Sequence, residues 1–137
     1  MKKCVVFAFE DVLSKIDLTC SSVSLAETIR NAQPVGSMVD LFIDLSLDYT
    51  VICYTTLSET YRPQLTEWLR KATYLGFSSR RSILMASKES TGTNSDNKLL
   101  ALQRRELTPD NVAFVVESYP GTIHALKHNG FLVLAPQ

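Results

Sequence analysis

Five short apolar runs recur along the chain, at residues 4–9, 50–54, 82–85, 112–116 and 131–134, and none of them alternates apolar with polar positions. A strand with one wet face shows that alternation, so continuous apolarity over so few residues implies strands covered on both faces, as in a parallel sheet. The segments between them read as amphipathic helices. Residues 34–47 carry Met38, Leu41, Phe42 and Leu45 at helical spacing. Residues 61–72 carry Tyr61, Leu65, Trp68 and Leu69, with Pro63 in the first turn and Gly76 beyond the end. Residues 96–105 (Leu99, Leu102) and 120–128 (Ile123, Leu126, then Gly130) complete the alternation. The order predicts βαβ units with right-handed crossovers in a three-layer α/β domain, whose functional loops lie at the carboxyl ends of the strands. Two segments lack periodicity: 13–33, expected to form a small lid or flap, and the polar stretch 86–95, expected to be a loop.

At 137 residues the chain is expected to be a single domain, 1–137. Fourteen basic and 14 acidic side chains cancel, so no bulk field draws it to nucleic acid or an anionic membrane. The basic pairs Arg70-Lys71, Arg80-Arg81 and Arg104-Arg105 read as solvated faces, leaving only a weak suggestion of a nucleic-acid track. The three cysteines form no CxxC pair and there are two histidines, which argues against a disulfide scaffold or a zinc site and fits a reducing, cytoplasmic setting. Cys4 and Cys53 are expected to be inert core thiols, and His124 and His128, one helical turn apart, to be surface residues. The first apolar run is too short for a signal segment or a membrane span.

Candidate site residues are those at the predicted strand ends: Ala8 and Glu10-Asp11 after the first, Thr55-Thr56 after the second, Lys98 opening the third crossover helix, and Glu117-Ser118 after the fourth. This arrangement resembles the haloacid dehalogenase-like (HAD) superfamily, in which the first strand ends in Asp-x-Asp-Gly-Thr-Leu, the second in Thr or Ser, a Lys follows the third, and an acidic pair ends the fourth. Within it the chain is most similar to the phosphatase domains of phage polynucleotide kinases. Tyr61, Arg62, Trp68 and Leu69 match their Tyr-Arg-x-x-x-x-x-Trp-Leu pattern, and Leu84-Met85, Lys88, Asp96 and Lys98 follow in their order. Residues 117–122 stand where those proteins have an acidic pair and a Pro-Gly turn. The resemblance implies a Rossmann-like α/β HAD fold with a five-stranded parallel sheet in the order 5-4-1-2-3, essentially without a cap.

In that family an Asp attacks phosphorus, the Asp two residues later protonates the leaving oxygen, Thr and Lys hold the phosphoryl oxygens, and Mg2+ neutralises the charge. The resemblance places Ala8 at the nucleophile, Glu10 at the general acid, Thr55 and Lys98 at the phosphate, and Glu10, Glu117 and Ser118 at the metal. Leu13, five residues after Ala8, sets this register; taking Glu10 as nucleophile would put Val12 at the acid position. A methyl group can neither attack phosphorus nor ligate a cation, and losing a covalent nucleophile costs roughly six orders of magnitude in rate, about 8 kcal/mol. What remains is a weakened Mg2+ site and a phosphate cradle, with no other cofactor implied.

Three functional readings follow. In the first, the chain is a degenerate pseudo-phosphatase that binds a phosphorylated small molecule, a nucleotide or a protein. In the second, it is an Ala8 variant of a Mg2+-dependent phosphohydrolase of the nucleotide or polynucleotide 3′-phosphatase type. In the third, it is an interaction protein with an empty cleft. Each site residue also has a plain structural role open to it: Thr55 as a turn hydroxyl, Lys98 as a surface lysine, Glu117 as a hydrogen-bonded acid at a strand end.

Overall fold

The computed structural model describes residues 2–17, 24–76, 79–86 and 94–136. Lys88, Cys20 and most of the 86–95 stretch lie outside them. In chain order the elements are β1 (Cys4–Ala8), β2 (Ser14–Lys15), α1 (Leu25–Arg30), β3 (Gln33–Pro34), α2 (Gly36–Leu45) and β4 (Thr50–Ser58). A 3-10 turn (Glu59–Tyr61) leads into α3 (Arg62–Thr73), α4 (Ser79–Ser82), β5 (Ile83–Ala86), α5 (Asn94–Arg104), β6 (Val112–Val116), α6 (Pro120–His128) and β7 (Val133–Leu134). The main sheet runs β5-β4-β1-β6-β7, all parallel, which is the expected 5-4-1-2-3 order when its five strands are counted alone.

The register decides what meets at the strand ends. β1 pairs with β4 without a slip, from Cys4 opposite Thr50 to Ala8 opposite Tyr54, while on its other side Phe7 lies opposite Val116. Ala8, Tyr54-Thr55 and Glu117 therefore emerge together. Because side chains alternate across a sheet, β1 sends Phe7 to one face and Val6 and Ala8 to the other, and Phe9, just past the strand, follows Phe7. Phe7 meets Phe42 of α2 edge-on at 5.2 Å, and Phe9 meets Trp68 of α3 edge-on at 5.0 Å. Such aromatic pairs add about 0.5–1.5 kcal/mol beyond their buried area. Trp68 is buried and donates its indole N–H to the Ala32 carbonyl at 2.9 Å, so it belongs to the core, as its spacing predicts. α5 and α6 pack together on the opposite face.

In the stretch expected as a lid, 13–33, residues 18–23 lie outside the described residues, and the rest is more ordered than its sequence suggests. β2 pairs antiparallel with β3, Val35 N–H donates to the Leu13 carbonyl at 2.8 Å, and α1 packs on α3 with Ser24 as its N-cap. Helix ends also shift. α3 is closed by Tyr74, in the left-handed conformation at φ 58°, and Gly76 lies beyond its end as the sequence places it. Gly130, at φ 89° just past α6, takes the role that its sequence position predicts. Cys53 is fully buried, whereas Cys4, at the start of β1, is only half-buried.

Candidate functional site

The turn that follows β1 builds one wall of the site. Leu13 N–H reaches back to the Ala8 carbonyl at 3.3 Å and Ser14 N–H to the Phe9 carbonyl at 3.0 Å, with Asp11 in the left-handed region between them. Asp tolerates that conformation better than most residues because its short side chain can hydrogen-bond locally. The turn buries Val12 and Leu13 and swings Glu10 over the end of β4. There its carboxylate accepts from three donors: the Thr55 hydroxyl, the Thr56 hydroxyl at 2.8 Å and the Thr56 N–H at 3.1 Å. Thr55 and Thr56 lie inside β4, which runs past the predicted end at Tyr54 because its β-branched residues continue the strand.

A second cluster lies on the α5 face. Lys98, read from the sequence as a surface lysine or a phosphate ligand, is only 3% exposed, and its ammonium pairs with Glu117 at 2.6 Å. The Tyr54 hydroxyl donates to the same Glu117 oxygen at 2.7 Å, and the N–H groups of Ser118 and Tyr119 donate to the other at 2.9 and 3.3 Å. The ammonium also lies 4.8 Å from the centre of the Tyr54 ring, within cation–π range. Glu117 is fully buried, yet both of its oxygens are satisfied. Burial first, then the charge of Glu117 and the hydrogen bond to it, push the Tyr54 hydroxyl well above its ordinary 10.0, so it stays a donor. Burial and the Glu10 charge likewise raise the Cys53 thiol, against an opposing pull from Lys98.

Ala8 sits between the two clusters with no solvent exposure, and the Phe9 N–H beside it is taken by the Tyr54 carbonyl at 2.9 Å. The two carboxylates thus face hydroxyl, amide and ammonium hydrogens, Ser118 offers Glu117 a backbone N–H, and the Ala8 side chain carries no oxygen. Glu10 and Glu117 are the two carboxylates here that would hold a Mg2+ ion, and both now accept hydrogen bonds from protein donors. Among the described residues no three His, Cys, Asp or Glu side chains gather as a metal set. His124 and His128 are exposed on α6.

One participant, Tyr54, has no counterpart among the candidates at the strand ends, because it closes an apolar run and reads as core. The signal available for it is the run of hydroxyl side chains that it opens, Tyr-Thr-Thr, with the candidates Thr55 and Thr56.

No protein-family model matches the chain, and no curated protein does. Solved structures do. A chain of the Pnkp1/Rnl/Hen1 complex superposes with a TM-score of 0.74 at 16% identity, over 100% of this chain and 46% of that one. Another, from the Pnkp1/Rnl/Hen1 RNA repair complex, gives 0.79 at 14% identity, over 98% and 42%. A haloacid dehalogenase-like hydrolase, SP0104 from Streptococcus pneumoniae, gives 0.61 at 14% identity, over 98% and 84%. The chain therefore has the HAD-like fold that its motif order implies, and it spans less than half of the RNA-repair chains it superposes on.

Proposed function

We infer that this chain is a catalytically silent domain of HAD-like fold that works by binding another protein. The observation that carries the reading is the Glu10 carboxylate, held by Thr55 and Thr56 at the very donors a phosphate would need. An internal anion fills the cradle, and the nucleophile position beside it holds a buried methyl group. Charge points the same way. Among the described residues in these two clusters, one cation, Lys98, stands against two carboxylates, Glu10 and Glu117, an excess of one negative charge that disfavours a phosphate dianion. The Pnkp1 superpositions support a role within an assembly, since those chains of similar fold come from a multi-protein complex.

The catalytic half is tested by hydrolysis of p-nitrophenyl phosphate and of a 3′-phosphorylated oligonucleotide in the presence of Mg2+. Rates no higher than buffer alone are expected; turnover that disappears in Lys98→Ala would overturn the reading. The binding half is tested by native sizing of the chain from its own cells. It should elute in a larger species, and elution at its own 15.3 kDa would contradict the assembly role.

A further inference from the structure

Arginines from two of the three basic pairs that read as separate solvated faces in the sequence, Arg80 of one and Arg104-Arg105 of the other, are brought together by the fold. β5 is an edge strand, and along its open side lies a pocket of about 460 Å3, a size suited to a small molecule. Arg80 enters it from α4, Arg104 from the last turn of α5, and Arg105 from just beyond; Arg62, at the start of α3, closes the remaining side. Arg62 is held by Glu59 through two hydrogen bonds, of 2.6 and 2.7 Å, and its third contact, 3.0 Å to the Ile83 carbonyl, caps a main-chain group of the sheet edge. Glu59 neutralises Arg62. Among the described residues no carboxylate pairs with Arg80, Arg104 or Arg105, so the pocket carries three uncompensated positive charges in a chain whose net charge is zero. The Arg105 guanidinium lies against the Arg80 carbonyl, which brings α4 and the end of α5 to the same side of the pocket. The floor is apolar, made by Leu84, Met85 and Ala101.

We propose that this pocket is a binding site for a nucleoside di- or triphosphate. Guanidinium groups match phosphate oxygens two bonds at a time, and three unpaired ones suit a chain of phosphates better than a single carboxylate. The apolar floor receives the flat, weakly polar base. The site shares no residue with the cleft at the strand ends, so it stands or falls independently of whether that cleft is silent.

Calorimetric titration of the full chain with ATP in EDTA tests the assignment, with adenosine and inorganic tripolyphosphate as separate arms. ATP should bind, adenosine should not, and tripolyphosphate should bind more weakly than ATP. The double variant Arg104→Gln/Arg105→Gln should lose about tenfold or more in ATP affinity, as expected when charge-assisted hydrogen bonds are removed. Both positions are exposed, so the variant should unfold at the temperature of the native chain; Arg80→Gln gives a second readout should it not. Absence of ATP binding, or binding that all three substitutions leave unchanged, overturns the site. Tripolyphosphate binding as tightly as ATP overturns the nucleoside assignment.

Discussion

Glu117 is the residue on which the interior of the site depends. A fully buried carboxylate is tolerated because Lys98, Tyr54 and two backbone N–H groups converge on it. Removing the cation alone leaves that charge uncompensated, so Lys98→Met should lower unfolding free energy by about 3–5 kcal/mol, whereas Lys98→Met combined with Glu117→Leu should recover most of the loss. Urea unfolding of the single and double variants measures this, and a double variant as unstable as the single would show that the two residues are not coupled. Tyr54→Phe strips one donor from Glu117 and should cost about 1–3 kcal/mol. Alkali reports on the same residues. The Cys53 and Tyr54 groups are held above their ordinary values of 9.0 and 10.0, so in alkali the unfolded chain loses those protons first. Their contribution is complete below those values and is lost above them. The melting temperature should therefore fall as pH rises past 9.0 and then 10.0, and fall less steeply in Tyr54→Phe. A curve of unchanged slope in that variant would contradict the role assigned to the hydroxyl.

At the level of elements, most of the strands and helices were legible in the sequence because each carries its own period. The unbroken apolarity of β1 and β6 and the three- and four-residue spacing in α3 report burial directly. What could not be read are the pieces whose order comes from elsewhere in the chain. β2 and β3 are two residues each and polar at three of four positions, and only their mutual pairing makes them strands. The end of α3 is also set by more than local composition: the chain turns at Tyr74, and Gly76, which the sequence places beyond the helix, lies two residues further on. That exposed tyrosine holds a left-handed conformation which costs a side-chain-bearing residue about 1–2 kcal/mol. Tyr74→Gly should accordingly raise stability by about 1 kcal/mol, seen as a higher urea midpoint; a lower midpoint would mean that the ring makes contacts worth more than the strain.

Over the whole molecule, the positions of the site were readable and its internal bonding was not. The order of motifs located Ala8, Glu10, Thr55 and Glu117 at or just beyond the carboxyl halves of adjacent strands, and Lys98 on the helix that reaches Glu117. That Glu10 turns onto Thr55 and Thr56, and that Glu117 binds Tyr54 from 63 residues away, follows only from the three-dimensional arrangement. Net charge hid a division of the same kind: a chain total of zero shows neither the carboxylates at the strand ends nor the cluster of arginines along the β5 edge. Because Glu10 occupies the donors of Thr55 and Thr56, restoring the missing nucleophile should not restore chemistry. Phosphatase activity of the native chain and of Ala8→Asp, measured side by side on p-nitrophenyl phosphate with Mg2+, tests this most directly. Silence in both is the predicted result, and Mg2+-dependent hydrolysis appearing in Ala8→Asp would contradict it, making the chain a phosphohydrolase that lacks only its nucleophile.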